Sequence, residues 1–284
     1  MIGYLEVLGA VSIWAIINGL VIKGVKKTSG VGVGTWMSLV GVAIFSVMFL
    51  AKNPFVGLNQ YQVTMLVLLG LVSALNNSLF YTALKMTYVY NAALLHYFAS
   101  ILVIILIAFV PMFHETLTPV DIVAVLLGFA GLVIITRPSW QNNSSKKWIY
   151  FALGSACFYS LEMVFGRIVS THGVAPNISA FVKLLAQAAI MPVVAVILGQ
   201  SITIGEKKER FMIVIAGVLL FLSFILYFSG VQIVPVKHSA VLGYVDRIGA
   251  ILLGAYFFKE KLTKNVWIGG TLILGASLLV VLFR

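Results

Sequence analysis

Apolar runs of about 20 residues recur along almost the whole chain, each long enough to cross the hydrocarbon core of a bilayer as a helix. They read as ten transmembrane helices over residues 2–22, 31–51, 63–84, 89–112, 118–137, 147–169, 176–199, 211–231, 237–258 and 264–283. Of the 284 residues, 61% are hydrophobic and 10% charged, where soluble domains carry about 45–50% and about 25%. Such a chain has too little polar surface to face water on all sides. The expectation is an all-α, multi-pass integral membrane protein of the plasma (inner) membrane. The spans leave no length for a soluble catalytic domain, so no enzyme is expected.

The first span lacks a basic stretch before it and a small-residue cleavage site after it; Lys23, Lys26 and Lys27 follow instead. It reads as a retained helix rather than a leader. The single Cys157 says nothing about compartment. A formal charge of +11 would suggest nucleic-acid binding in a soluble protein. Here the Lys and Arg residues sit in short loops, which argues against nucleic acid and for topology and contact with anionic lipid. Most of the 19 follow the first, third, fifth, seventh and ninth spans, among them Lys85, Lys146, Lys207, Lys259 and Lys264. The positive-inside bias therefore places both termini on the non-cytoplasmic side.

The chain also repeats itself. LFYTALKMTYVYNAALLHY (79–97) resembles ILYFSGVQIVPVKHSAVLGY (225–244), with Tyr81 against Tyr227 and Tyr97 against Tyr244. Each copy runs on to an acidic turn, HETLT (114–118) and KEKLT (259–263), and then to a Gly-studded last helix. At the starts of the halves, Trp14 to Asn18 aligns loosely with Phe158 to Glu162, and Lys23 with Arg167. Two five-helix repeats are expected, 1–137 and 148–284, joined by a polar linker at 138–147. Five is odd, so the second copy enters the membrane from the opposite side, giving an inverted repeat. Secondary transporters are often built this way, with the substrate near the midplane between halves.

The Ile13-Trp14 and Cys157-Phe158 starts, the A-x-L-x-Y-like segments and the E-x-L-T turns at Glu115 and Glu260 resemble the drug/metabolite transporter superfamily, in its ten-helix EamA type. The resemblance covers nearly the whole chain and implies export or import of amino acids, sugars, nucleotide sugars or other metabolites. Where many members carry a proline after the A-x-L segment, this chain has Ser100 and Asp246. The resemblance also implies cytoplasmic termini, opposite to the charge count.

Ionisable groups inside a membrane cost about 2.5–3.5 kcal/mol each on insertion scales and mark functional sites by default. Four lie deep within the spans, away from their ends: Glu162, Lys183, Asp246 and Arg247. Glu162 and Lys183 either pair with each other or engage opposite ends of a zwitterionic or charged solute. Glu162 is the proton-coupling candidate, a carboxyl that meets water from each side in turn. Gln187 lies four residues beyond Lys183 and so on the same face. Asp246 and Arg247 are adjacent, about 100° apart on a helix, and are not expected to face each other. Asn18, Asn76, Asn77, Tyr81, His96, Tyr97 and Tyr244 complete the candidate substrate pocket. Each neutral residue alone also suits interhelical hydrogen bonding. The glycines at 128, 131, 269, 270 and 275 suit close helix packing, with no ligand assigned.

His114-Glu115 lacks the second histidine of a zinc-protease motif, and there is no Cys/His cluster, so neither metal nor cofactor is expected. The function expected is a secondary transporter for a small organic metabolite by alternating access, possible proton coupling included, acting as a monomer or weak dimer. The alternative is a lipid-interacting, structural or receptor-like membrane protein without solute flux.

Overall fold

A computed structural model describes residues 1–18, 28–49, 55–87, 89–109, 115–136, 146–258 and 263–283. Lys23, Glu260 and most of the expected linker lie outside the described residues, as do Lys26, Lys27 and Lys259. Every regular element among the described residues is a helix. In chain order these are α1 (Ile2–Ile16), α2 (Gly30–Phe49), α3 (Gln60–Met86), α4 (Val89–His96), α5 (Ala99–Phe109), α6 (Pro119–Thr136), α7 (Lys147–Thr171), α8 (Pro176–Ile197), α9 (Lys207–Gly230), α10 (Val236–Leu242), α11 (Val245–Phe258) and α12 (Lys264–Leu282).

Local chemistry sets several of the helix ends. Asn59 accepts from the Gln62 N–H while the Gln62 side chain accepts from the Asn59 N–H, a reciprocal cap that starts α3. Pro176 stands in the first turn of α8, where its missing N–H costs nothing. The helices α7 and α8 both end on a glycine at positive φ, Gly173 at 80° and Gly199 at 63°. The next residue then folds back: Val174 N–H reaches Val169 O at 3.2 Å, and Gln200 N–H reaches Ala195 O at 2.8 Å.

Seven helical stretches among the described residues are long and apolar enough to cross a membrane: Gly30–Val47, Gln60–Met86, Asn91–Phe109, Lys147–Thr171, Pro176–Ile197, Lys207–Gly230 and Lys264–Leu282. Ile2–Ile16 and Pro119–Ile135 are apolar but shorter. Large apolar side chains such as Phe109, Val196 and Trp267 point outward, while Ser73, Asn76, Glu162, Lys183 and Asp246 are buried. A water-soluble fold distributes these the other way. The protein is an integral, multi-pass membrane protein.

Two spans expected to be continuous are broken. The stretch 89–112 divides into α4 and α5 around Tyr97 and Phe98, and 237–258 divides into α10 and α11 around Gly243 and Tyr244. At both places the backbone bonds tighten to three-residue spacing: Phe98 N–H to Leu95 O and Ser100 N–H to Tyr97 O, then Tyr244 N–H to Val241 O and Arg247 N–H to Tyr244 O. No proline marks either break, so an unbroken apolar run hides it. Ser100 Oγ donates to Ala240 O at 2.9 Å and ties the two broken spans together.

The helices pack across the chain rather than half by half. The helix α3 lies on α7 and α8, α9 on α1 and α2, α2 on α8, α6 on α12, α1 on α11, and both α4 and α5 on α7. Exchanging the two halves maps these pairs onto one another. The α6–α12 seam is the closest: a Cβ on Gly131 or on Gly269 would run into the other glycine's carbonyl oxygen. Small residues there allow the backbones to touch.

Candidate functional site

The two helix breaks, the end of α1 and the middles of α3, α7, α8 and α9 meet around one central cavity. Its wall carries Asn18, Asn76, Asn77, Tyr81, His96, Tyr97, Glu162, Lys183, Asp246 and Arg247, all of them expected from the sequence. The room inside is about 70 Å³ for a water-sized molecule. Drug-sized ligand pockets usually measure about 300–1,000 Å³, so a metabolite requires the helices to part.

On one side of the cavity, Lys183 Nζ lies 2.5 Å from Glu162 Oε1, and Asn76 Nδ2 donates to Glu162 Oε2 at 2.9 Å. Both charges are buried. The ammonium also lies 3.7 Å from the ring centre of Phe224, whose negative face attracts a cation. Trp14 stands beside them, and its indole N–H donates to Ser223 Oγ at 2.9 Å. Glu162 and Lys183 therefore neutralise each other across two helices.

The other side is built at the second break. Asp246 and Arg247 open α11, and the Asp246 carboxylate accepts from Tyr97 Oη and, at 3.3 Å, from Asn18 Nδ2. Arg247 Nη2 lies 3.5 Å from Asp246 Oδ2. This corrects the expectation that these neighbours cannot face each other. They sit on the first turn after a break, and the long Arg side chain bends back over its own helix start. Both reach the cavity. The Arg247 guanidinium is stacked 4.8 Å from the Tyr97 ring centre. Its Nε and Nη2, together with Asp246 Oδ1 and Asn76 Oδ1, find no hydrogen-bond partner among the described residues.

His96 closes the cavity between two rings, stacked on Phe80 at 4.1 Å and on Tyr159 at 4.6 Å, with Nδ1 held 3.0 Å from Ser155 Oγ. Two expected residues fall outside the lining. Gln187 bridges helices instead, donating to Ser73 Oγ at 2.7 Å and accepting from Ser38 Oγ at 3.0 Å. Tyr244 is fully buried at the second break against Gly128 and Tyr97. Sequence reasoning did not assign Trp14, Phe80, Tyr159 and Phe224 to the wall. The first three stand three or four residues from Asn18, Asn76 and Glu162, which is a signal for a shared helix face; Phe224 has none.

Known proteins resemble this chain in fold and in sequence. A solved crystal structure superimposes with a TM-score of 0.79 over 99% of both chains at 21% identity, a likeness of fold. An uncharacterized transporter from Sinorhizobium sp is 28% identical over 144 residues, 49% of this chain and 99% of that protein. An uncharacterized transporter from Archaeoglobus fulgidus is 26% identical over 198 residues, 69% of this chain and 68% of its own length. The model of the EamA-like transporter family matches residues 1–137 and 146–282. Those two stretches cover most of the sequence, and the chain belongs to the EamA-like transporter family.

Proposed function

We propose that this transporter moves a small organic metabolite, an amino acid or a similar zwitterionic or charged solute, by alternating access through the central cavity. The observation that carries the reading is the unmet hydrogen-bonding capacity of that cavity. Arg247 presents two buried donors, and Asp246 and Asn76 each present a buried acceptor. A solute with a carboxylate for the donors and an ammonium for the acceptors satisfies all four atoms, and buried polar groups left unpaired are costly.

Ten membrane helices in two inverted repeats are the architecture we infer. It is supported by the matching breaks near Tyr97 and Tyr244 and by the way the packing pairs exchange between halves. Discontinuous helices in corresponding positions frame the substrate site in many transporters. The repeats are assigned to 1–137 and 148–284, and one chain is then enough to build the path. Glu162 is the proposed proton carrier, since protonation would release it from Lys183. Both termini are assigned to the non-cytoplasmic side on the loop charges; a C-terminal reporter active only in the cytoplasm would refute that.

The test is a panel of amino acids, sugar phosphates, nucleotide sugars, polyamines and organic cations at two pH values. A ligand at about 100 times its dissociation constant should stabilise the purified protein by about 2.7 kcal/mol. The expected hit is a zwitterion that is also carried into proteoliposomes, with Glu162→Gln removing the dependence of uptake on the pH gradient. No response to any zwitterion, with a clear response to another class, would overturn the assignment of solute.

A further inference from the structure

The helix α9 connects two ends of the molecule about 36 Å apart, at about 1.5 Å per residue over Lys207–Gly230. Leu220 and Phe224, in its middle, belong to the cavity wall. The two ends are built differently.

At the Gly230 end, a buried ion network ties the chain together. Asp121 Oδ2 accepts from Lys237 Nζ at 2.7 Å, from Thr118 N–H at 2.8 Å and from Thr118 Oγ1 at 2.7 Å. Asp121 Oδ1 lies 3.0 Å from His238 Nε2, whose Nδ1 meets Tyr4 Oη at 2.6 Å. The tautomer with the proton on Nε2 satisfies both contacts. Glu115 accepts from the N–H groups of Val236 at 2.8 Å and Lys237 at 3.4 Å, and lies 3.5 Å from Arg167 Nε. The start of α1, the 115–121 turn, the end of α7 and the start of α10 are thereby held in one knot.

At the Lys207 end there is a recess of about 460 Å³, bordered by Thr28, Thr82, Lys85, Gln200 and Ser201. Adjoining it at Lys85 is a small pocket of about 10 Å³, the neck, lined by Gly30, Val33, Tyr81, Leu84 and Lys85. Lys85 borders both recess and neck, and Tyr81 borders both neck and central cavity. A Cβ on Gly34 would lie 2.7 Å from the Tyr81 ring, so the ring occupies a gap that glycine leaves open.

We propose that the network around Asp121 and Glu115 is the lock of one gate and that Tyr81 is the door of the other, so that the cavity opens first toward the recess. The proposal rests on the transport reading above. Opening the lock separates charges that water can then solvate, so locked and open forms differ little in energy while intermediates are costly, as a switch between two states requires. The door is one aromatic side chain, and close to it at this end the buried Glu209 accepts from Thr28 Oγ1 at 3.0 Å. The lock is also coupled to the cavity. Lys237 and His238 lie on α10, a helix of 7 residues that runs straight into the break carrying Asp246 and Arg247.

The test uses the full chain with Cys157→Ala and Asn77→Cys, reconstituted in vesicles of both orientations, with a charged, membrane-impermeant thiol reagent. Gln60→Cys and Ser201→Cys, on exposed residues, report which face carries each end. Labelling at 77 should be at least about tenfold faster from the recess end (a factor equivalent to 1.4 kcal/mol). Asp121→Asn should raise the rate from the lock end by about tenfold, and Gly34→Ala should slow labelling from the recess end alone. If Asp121→Asn does not fold, Glu115→Gln loosens the same knot through the α10 cap and should act in the same direction. Equal rates from both ends with the lock intact would overturn the proposal, as would folded lock variants that leave the lock-end rate unchanged. Labelling follows the path of the reagent, so its failure is distinct from a failure to find the transported solute.

Discussion

Two ion pairs face the same cavity and are assembled in opposite ways. Glu162 and Lys183 come from different helices, meet at 2.5 Å, and are further held by Asn76 and the Phe224 ring. Asp246 and Arg247 are chain neighbours at the start of α11, separated by 3.5 Å, with donor and acceptor atoms left over. The first pair uses its hydrogen-bonding capacity inside the protein and joins α7 to α8. The second is held in place by Tyr97 and Asn18 while keeping capacity for something else. The difference teaches that a buried ion pair is read from what its atoms still lack, more than from its charges.

The comparison breaks first where the closed pair is broken. Lys183→Ala leaves Glu162 buried without its counter-charge, which should destabilise by about 3–5 kcal/mol. Equilibrium unfolding in detergent measures it. The double variant Glu162→Met, Lys183→Met removes both charges and should recover most of the loss, since an apolar pair of similar volume replaces a buried ion pair at little cost. A single variant as stable as the parent would mean that the pair is not what joins α7 to α8.

The open pair depends on a hydroxyl from the other half of the chain. Tyr97→Phe keeps the ring against Arg247 and removes only the donor to Asp246. Hydrogen bonds to charged groups contribute about 1.5–3 kcal/mol. The expected loss of stability falls in that range, and the affinity for the solute should fall with it, because Asp246 is no longer held toward Asn18. Thermal unfolding with and without ligand separates the two effects. Loss of stability with undiminished affinity would separate Tyr97 from the site.

Much of this was legible before the fold. Long apolar runs fixed the class, because length and composition are what a bilayer selects. The charged and amide residues of the wall were legible for the reverse reason: a Glu, Lys, Asp or Arg in such a run has no reason to be there unless something polar faces it. The helix breaks were not legible. The residues at the breaks themselves, Tyr97-Phe98 and Gly243-Tyr244, are aromatic or small, and three-residue hydrogen bonding leaves no compositional mark. Missing those breaks also led to the geometric error at Asp246 and Arg247, which assumed a regular helix through both. Gln187 was assigned to the site because its position on the Lys183 face was visible while its two serine partners on other helices were not. The roles of Glu115 and Arg167 were equally hidden, because the knot they form depends on chain segments far apart in sequence.

The smallest expected change in stability is the sharpest probe of the comparison. Arg247→Lys keeps the charge and most of the stem, so Asp246 retains a cation, and the fold should lose about 1 kcal/mol with the guanidinium stacking on Tyr97. What is lost is the planar edge formed by Nε and Nη2, which can grip a carboxylate through two parallel bonds where an ammonium acts as a point charge. Affinity for a carboxylate-bearing solute should therefore fall by about tenfold, 1.4 kcal/mol, measured by calorimetry at a temperature where both proteins are fully folded. At the opposite corner the cation is a lysine, and the carboxylate partner of Lys183, Glu162, belongs to the protein itself. Should Arg247→Lys bind as tightly as the parent while Lys183→Arg weakens binding, the roles of the two pairs are exchanged, and the solute's carboxylate belongs at α8 rather than at the second helix break.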